Sequence, residues 1–236
     1  MTLIIGVICP EGIVLAGDSK CTISKEVTDP QTGEKHIEQS GFVTASDKIL
    51  LTDNNVAIAV QGTAIIKDEK ADAYLRAFIK NHPGLNAQDM AVAVQGILKS
   101  ELVQYEMRIY VAGYVNEGGV LAPKIYQIDS APQWRIREYG KCDAYWIGEV
   151  DIMDRLFEPV LVKKDTDGNT QKVPFYQFPF PIFNLQDAID FAVLGIEMTY
   201  RVMRFQDRPQ TVGPPIDVVA ITKDGEKWYK KKEIHV

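Results

Sequence analysis

Four residues within the first 62 positions could together form a nucleophilic site: Thr2, Asp18, Lys48 and Gly62. Removal of Met1 would leave Thr2 with a free α-amine, whose unperturbed pKa is about 7.7–8.0. Such an amine can act as general base for the hydroxyl of its own residue, which activates a weak nucleophile. A Lys48 ammonium would favour the neutral amine and the developing alkoxide, and Asp18 would keep that ammonium charged. The backbone N–H of Gly62 could bind an oxyanion.

A first hairpin must bring Thr2 and Asp18 together. Leu3–Cys9 and Ile13–Asp18 are short β-branched runs on either side of Pro10-Glu11-Gly12, which predicts an antiparallel pair. With the turn at those three residues, the numbers of opposed residues sum to about 22. Thr2 is therefore expected near residues 18–20.

A second hairpin must supply the lysine and the glycine. Lys48–Leu51 and Val56–Val60 flank the polar turn at residues 52–55, so Lys48 is expected opposite Ala59 and Val60. Gly62 is then expected just past the end of its strand. If the two hairpins lie side by side, this spacing allows the four residues to gather at one mouth.

The remaining elements come in blocks rather than in single strand–helix alternation. Helices are predicted from Ala71 to His82, after Asn86 as N-cap, over Asp151–Leu161 and over Leu185–Phe205; strands are predicted at Met107–Val115, Pro123–Ile128, Trp134–Tyr139, Asp143–Ile147, Ile216–Thr222 and Lys227–Val236. Residues 22–45 are expected to form a long loop or an excursion of the hairpin ends. This order predicts an α+β protein with packed antiparallel sheets and outer helices, in a single domain over residues 1–236.

The composition narrows the partners. A formal charge of −6 gives no general attraction to nucleic acid or anionic membrane, so neither is expected as a partner. Three cysteines argue against a disulfide framework and for a reducing, cytoplasmic location. The apolar start is too short for a signal peptide, and no run reaches the roughly 20 apolar residues of a membrane helix.

Familiar cofactor and metal motifs are missing from the sequence. It contains no glycine-rich dinucleotide or phosphate loop, no H-E-x-x-H and no C-x-x-C, and its three histidines are scattered. Residues 165–169 imitate a calcium loop without its closing glutamate and are interpreted as a solvated turn. We therefore expect neither a cofactor nor a metal site.

The segment Thr2–Ser19 resembles the opening of proteasome β-subunits, with a threonine, a strand, an acidic-Gly turn, an apolar strand and Asp-Ser. Ser46-Asp47-Lys48-Ile49 and Val60-Gln61-Gly62 match that family's lysine and glycine at its spacing. The chain is thus similar to the N-terminal-nucleophile hydrolases. The resemblance implies a four-layer αββα sandwich and a threonine peptidase that assembles from copies of itself into a ring or helical particle. It also implies a peptide or unfolded protein as substrate, and suggests an ATP-dependent unfoldase as partner.

Two elements depart from the family's pattern. Ile147-Gly148-Glu149 stands where the family has Gly-Ser-Gly, and Val212-Gly213-Pro214-Pro215 follows Arg204 and Asp207 where the family has Ser-Gly-Gly after Arg-Asp. Both elements are more similar to the divergent bacterial Anbu-type homologues. For Glu149 a helix-start role, and for Asp207 a surface role, remain open alternatives to a role in the site.

Several alternatives also remain open at this point. The missing serines are compatible with a non-catalytic assembly subunit, and a long 22–45 segment that narrowed the site would suit a hydrolase of small amides. Taken singly, Thr2 is an ordinary second residue, Asp18 a turn residue, Lys48 a solvated lysine and Gly62 a strand-end break; only their combined spacing favours the site. The aromatic segment Val173–Phe183 is interpreted as a subunit contact.

Overall fold

In the computed structural model of the chain, the structure describes residues 2–43, 46–163 and 169–233, with the backbone alone for 23–26, 36–40 and 163. Met1 and the loop that imitates a calcium site, apart from Asn169, lie outside these ranges. The strands are β1 Leu3–Cys9, β2 Gly12–Asp18, β3 Cys21–Thr28, β4 Lys35–Val43, β5 Ile49–Leu51, β6 Ala57–Gly62, β7 Ile65–Ile66, β8 Glu69–Lys70, β9 Met107–Glu117, β10 Val120–Asp129, β11 Ile136–Tyr139, β12 Asp143–Gly148, β13 Leu161–Lys163, β14 Thr170–Lys172, β15 Ile216–Thr222 and β16 Gly225–Lys230. The helices are α1 Ala71–Lys80, α2 Ala87–Ser100, α3 Asp151–Phe157 and α4 Leu185–Met203, with a short 3-10 turn at Phe180–Ile182.

Two five-stranded antiparallel sheets form the body of the structure. The first has the strand order β12-β1-β2-β15-β16 and the second β11-β10-β9-β6-β5. Three separate two-stranded sheets, β3–β4, β7–β8 and β13–β14, complete the strands of the described residues. The α+β prediction with antiparallel sheets is confirmed.

Three apolar clusters separate four layers. One lies between helices α1 and α2 and the second sheet, and includes Leu75, Met90, Val94 and Ile109. Another lies between the two sheets, where β1 and β2 of the first sheet contribute residues such as Ile4 and Leu15. The third lies between the first sheet and α4. This arrangement is the four-layer αββα sandwich that the resemblance implied.

Strand β1 shows why the first sheet can be covered on both faces. Every residue from Leu3 to Cys9 is fully buried or nearly so. Successive side chains point to opposite faces, so Leu3, Ile5 and Val7 pack towards α4 while Ile4 and Ile8 pack towards the second sheet. A strand buried on both faces reads as a continuous apolar run, which is the pattern seen in the sequence.

Helix ends agree with the capping signals. Asn86 precedes α2 and its side chain accepts a hydrogen bond from the Asp89 N–H at 3.0 Å, as predicted. Asn184 and Asp187 form a reciprocal capping box at the start of α4. Helix α4 ends at Met203 rather than at Phe205, and the strand expected to reach Val236 ends at Lys230.

The prediction of a loop for residues 22–45 is wrong, whereas the alternative of an excursion of the hairpin ends agrees with the structure over the described residues 22–43. Strands β3 and β4 pair from Cys21 opposite Val43 to Thr28 opposite Lys35, around a turn that is closed by a hydrogen bond from Asp29 N–H to Glu34 O at 2.8 Å. The hairpin pairs only with itself within the described residues. Its polar strands therefore lack the apolar alternation that identifies a half-buried strand.

The aromatic segment, interpreted as a subunit contact, has an exposed part, which includes Tyr176 and Ile182, and a part that packs within the chain. The rings of Phe178, Phe180 and Phe183 pack against those of Phe157 and Phe191, with centroids between 5.1 and 6.4 Å apart. These rings fill the outer core beside α4 because the segment lies across the end of that helix and α3. Tyr176 is 96% exposed.

Across the described ranges, the helices are all too short or too polar to cross a membrane.

Candidate active site

The first hairpin places Thr2 beside Asp18. Cys9 pairs with Gly12 around a two-residue turn, so the register is one residue tighter than predicted, because Gly12 belongs to β2 and not to the turn. Ile4 consequently lies opposite Gly17, and the Leu3 N–H donates to Asp18 Oδ1 at 3.1 Å. Thr2, the residue before Leu3, therefore lies beside Asp18 at the open end of the first hairpin, as expected.

Asp18 is fully buried and held by three backbone N–H groups. Besides Leu3, the N–H of Lys20 donates to its Oδ2 at 3.2 Å and that of Gly213 at 3.1 Å. Burial raises the pKa of Asp18 to about 7, although the charge of Lys48 and the three N–H groups act in the opposite direction. Asp18 is thus a carboxyl group whose charge is costly in the folded chain.

This burial makes a prediction about stability. Because the pKa of Asp18 in the folded chain lies above its ordinary value of 3.8, the folded state binds the proton more tightly than the unfolded state. The resulting contribution to stability is complete below about pH 4 and is lost as the pH rises through about 7. We expect Asp18 to lower the free energy of unfolding by about 1.4 kcal/mol per pH unit in that window.

Urea unfolding of the wild type and of Asp18→Asn between pH 5 and pH 7.5 measures this contribution. The wild type should lose stability faster than the variant as the pH rises. Parallel pH dependences for the two proteins would contradict the raised pKa.

Lys48 precedes β5 and is 7% exposed. Its carbonyl accepts a hydrogen bond from the Val60 N–H at 2.9 Å, and Ile49 pairs with Ala59, which confirms the predicted register of the second hairpin. A Cβ built on Gly17 would lie 3.4 Å from Lys48 Cβ, so the lysine stem passes over the end of β2. The charge of Lys48 lowers the pKa of Asp18, against the larger effect of burial.

Gly62 is the last residue of β6 rather than a residue beyond it. The Val60 N–H points towards β5, and the Thr63 N–H donates across to Glu106 O in the direction of β9 at 3.0 Å. Because the N–H groups of a strand point to alternate edges, the Gly62 N–H faces the same edge as that of Val60. Strand β5 does not extend as far as Gly62. The Gly62 N–H therefore points past the start of β5, on the side where Lys48 lies.

The backbone at Gly62 tolerates no other residue easily. Its φ is +123°, and an added Cβ would lie 2.2 Å from Glu106 O and 2.9 Å from Met107 Cα. We expect Gly62→Ala to lower the free energy of unfolding by at least about 2 kcal/mol, because it adds a clash with backbone to the strain. Gly33→Ala is the matched control, since Gly33 also has a positive φ but no atom within 4 Å of the added Cβ.

The control should cost about 1 kcal/mol, and urea denaturation of both variants provides the comparison. An equal cost at the two positions would show that Gly62 is not confined by Glu106.

Gly148 and Glu149, at the end of β12, contact the backbone of Thr2 from the side of β1 opposite to β2. Leu3 pairs with Gly148, and the Glu149 N–H donates to Thr2 O at 2.9 Å. Gly148 has a φ of +105°, and an added Cβ would lie 1.7 Å from Thr2 O and 3.2 Å from Gln61 Cγ. The ends of β1, β6 and β12 therefore meet at Thr2.

A partly buried charged cluster surrounds the Glu149 carboxylate, and the sequence analysis did not predict it. Thr211 Oγ1 donates to Glu149 Oε1 at 3.0 Å and Arg208 donates to Oε2 at 3.4 Å. Arg208 also pairs with Asp151 at 3.0 Å. Glu149 is 9% exposed and precedes α3, so it is neither a surface residue nor part of the helix. Asp207 is exposed, and the surface alternative for it is confirmed.

The structure thus brings all four sequence-predicted residues to one end of the two sheets. Thr2 begins the segment that leads into β1, Asp18 ends β2, Lys48 precedes β5 and Gly62 ends β6. Thr2 is 1% exposed with residue 1 attached. A hydroxyl, a buried carboxyl, a lysine and a directed N–H in one place suit nucleophilic attack on a carbonyl carbon.

Comparison with known proteins gives a distant relationship. Among curated proteins, Proteasome subunit beta 1 of Thermococcus gammatolerans (strain DSM 15229 / JCM 11827 / EJ3) is 25% identical over 227 residues, which cover 95% of this chain and 90% of that protein. Among solved structures, a Gly-1 mutant of Anbu from Hyphomicrobium sp. strain MC1 matches with a TM-score of 0.58 and 17% identity, over 98% of this chain and 86% of the other. No protein-family model matches the chain. The structural likeness shows the fold.

Proposed function

We propose that this chain, which has a divergent, Anbu-like form of the proteasome-type N-terminal-nucleophile hydrolase fold, is an N-terminal threonine peptidase with Thr2 as nucleophile. The observation that carries the proposal is the contact between the first hairpin ends, where Asp18 accepts the Leu3 N–H at 3.1 Å directly beside Thr2. The proposal requires removal of Met1. It treats residues 1–236 as one catalytic domain.

In the acylation step, the α-amine nitrogen of Thr2 accepts the proton of Oγ while Oγ bonds to the carbonyl carbon of the scissile peptide. The electrons of the carbonyl π bond move to its oxygen, which the Gly62 N–H stabilises. When this intermediate collapses, the C–N bond breaks and the Thr2 ammonium gives its proton to the leaving amine. An ester on Thr2 remains.

In the deacylation step, water adds to the ester carbon and loses a proton to the α-amine. The second collapse breaks the bond between the ester carbon and Oγ, returns the proton to Thr2 and releases the carboxylic acid. Lys48 favours the neutral amine and the transient alkoxide through its positive charge. Asp18 interacts electrostatically with Lys48 and holds the start of β1 through the Leu3 N–H. The role of Glu149 N–H is to hold the Thr2 carbonyl.

The fold likeness also supports proposals about partners. We infer that copies of this chain assemble into a ring or helical particle, with peptides or unfolded protein as substrate and no nucleic acid or membrane partner. An ATP-dependent unfoldase is a further candidate partner, and a cytoplasmic location follows from the acidic, cysteine-poor composition.

The second candidate is a non-catalytic assembly subunit. The observation in its favour concerns Glu149, which stands where the family has a serine element. The Glu149 carboxylate accepts hydrogen bonds from Thr211 and Arg208. A third candidate, a hydrolase of small amides, rested on a long loop that narrowed the site; residues 21–43 instead form the β3–β4 hairpin.

Turnover assays separate the three candidates. Processed chain is incubated with fluorogenic peptides, with an unfolded protein and with a panel of short-chain amides, and release of amine is followed. The peptidase proposal expects turnover of the peptides. Turnover of the small amides alone supports the amide hydrolase, and no turnover of any substrate by assembled, Met1-free chain supports the assembly subunit.

A further inference from the structure

A buried network of charges lies behind the candidate active site and includes the C-terminal segment. Lys232 Nζ lies 2.8 Å from Asp47 Oδ1 and also pairs with Asp217 Oδ2, while the Lys232 N–H donates to Asp217 Oδ1 at 2.7 Å. The side chain of Lys232 is 5% exposed and that of Asp217 is 2% exposed. A lysine held by two carboxylates at this depth is a fixed structural element, because an unpaired charge there would be costly.

Both carboxylates are directly connected to residues of the candidate site. Asp47 immediately precedes Lys48. Asp217 lies opposite Gly17 in the pairing of β15 with β2, next to the pair that Ile216 forms with Asp18. Ser19, the residue after Asp18, donates from Oγ to Asp217 Oδ2 at 3.5 Å.

Backbone hydrogen bonds also join Ser19, just after β2, to the segment before β5 and to the segment before β15. The Ser46 N–H donates to Ser19 O at 3.3 Å, and the Ser19 N–H donates to Pro215 O at 2.9 Å. Together with the Lys48 stem and the Ile49 side chain near Gly17, the Ser46–Ser19 backbone bond and the Lys232 bridge join the segment before β5 to the end of β2. Lys232 therefore links the segment that carries Lys48 to the strand end that carries Asp18.

The negative charge of Asp47 is stabilised by its neighbours. Burial raises the pKa of Asp47, but hydrogen bonds and charges from Lys232 and Arg76 outweigh this effect and leave the pKa below its usual range. Arg76 reaches Asp47 from α1 and is about half exposed. The two carboxylates are thus balanced by two cations, of which Lys232 alone is buried and contacts both.

We propose that Lys232 is a positioning residue of the catalytic site, which holds Lys48 in place relative to Asp18 by bridging Asp47 and Asp217. This inference rests on the proposed function, because it assigns Lys48 and Asp18 their roles in peptide hydrolysis. It gives the C-terminal segment after β16 a part in catalysis although Lys232 touches neither substrate nor Thr2.

The test compares Lys232→Met with Lys231→Met in the assembled, processed chain. Lys231 is the adjacent exposed lysine, whose Nζ lies 4.7 Å from the centre of the Trp228 ring, and is the matched control. We expect Lys232→Met to lower kcat about 10- to 100-fold, because a misplacement of about 1 Å at the reacting groups can cost about 100-fold, with little change in KM. Lys231→Met should leave both constants unchanged, and Lys232→Arg should restore most of the activity.

A wild-type kcat in Lys232→Met would overturn the proposal, as would an equal loss in both lysine variants. If Lys232→Met does not fold, Asp47→Asn supplies the test, since Asp47 is only partly buried. That variant breaks the same bridge at its other end, and the same fall in kcat with unchanged KM is expected. Unchanged kcat in Asp47→Asn would also overturn the proposal.

A second readout does not depend on peptidase activity. The pKa of Asp18, which Lys48 and Lys20 face as charged groups, is followed by its infrared carboxyl band, assigned by difference from Asp18→Asn. In Lys232→Met this pKa should rise, because a displaced Lys48 no longer lowers it. If the pKa of Asp18 is unchanged in Lys232→Met, the positioning role is overturned, even in a chain that hydrolyses nothing. If that pKa is raised but the wild type hydrolyses no peptide, only the proposed function fails.

Discussion

Thr2→Ala should abolish peptide hydrolysis, with a loss in kcat on the order of 10⁶-fold. The variant removes the proposed nucleophile and keeps the α-amine, and its backbone retains the hydrogen bond from the Glu149 N–H to Thr2 O. The side chain at this position is small, so folding and assembly should survive its truncation. Steady-state hydrolysis of a fluorogenic peptide measures the loss, and circular dichroism and light scattering confirm the fold and the assembly.

Thr2→Ser is the matched control, since it keeps a hydroxyl in the same place and should retain measurable activity. Hydrolysis by purified Thr2→Ala at more than a small fraction of the wild-type rate would exclude Thr2 as the nucleophile. The remaining activity would then have to come from another group, and the roles of Asp18 and Lys48 would need a different explanation.

Lys48→Met should have the second largest effect, a loss of about 10² to 10⁴-fold in the rate of acylation. Lys48 is 7% exposed, and methionine fills much of the volume of its stem over Gly17. The variant is expected to fold, because Asp18 can take up a proton once its charged neighbour is lost; burial already raises its pKa to about 7. Single-turnover kinetics with an activated ester and with a peptide separate acylation from deacylation.

Lys48→Arg is the comparison for this variant, because it keeps the positive charge while changing the position of the charged group. An intermediate rate is expected for it. If Lys48→Met retains the wild-type acylation rate in a folded, Met1-free chain, the charge of Lys48 plays no part in activating Thr2.

The strands that carry the site could be predicted from sequence because their signals are local. Leu3–Cys9 and Gly12–Asp18 are buried on both faces and are joined by a two-residue turn, so apolar runs and a turn signal are enough to pair them. The register was missed by one residue because Gly12 reads as a turn residue, although it pairs with Cys9. Lys48 and Gly62 followed in the same way from the second hairpin.

The supporting residues could not be predicted, because their contacts join distant parts of the chain. Glu149 meets Arg208 and Thr211 across 59 and 62 residues, and nothing near Glu149 indicates them. Lys232 is one of three consecutive lysines, and only the fold distinguishes the one that enters the interior. The β3–β4 hairpin could not be predicted, because within the described residues its strands pair with each other alone and their sequence shows no apolar alternation.

The aromatic segment shows a related weakness of reading a sequence alone. Its five rings are more than a loop needs, which indicates a subunit contact but not that some of these rings pack inside the chain. In the structure Phe180 is 8% exposed and packs edge-on against Phe191 of α4, with centroids 5.1 Å apart. An irregular segment can fill an outer core as well as a helix can, and its residues show no period that would reveal it.

Mass spectrometry of the N-terminal peptide tests whether Thr2 is the nucleophile. The peptide is analysed before and after reaction with an electrophile that closes a ring with both the hydroxyl and the α-amine of an N-terminal threonine. Thr2→Ala and Thr2→Ser, processed in the same way, serve as controls. The proposed mechanism predicts that active chain has lost Met1, that its peptide begins with Thr2 and that the adduct forms on this residue at the rate at which hydrolysis is lost. Active chain that retains Met1, or an adduct on a different residue, would contradict it.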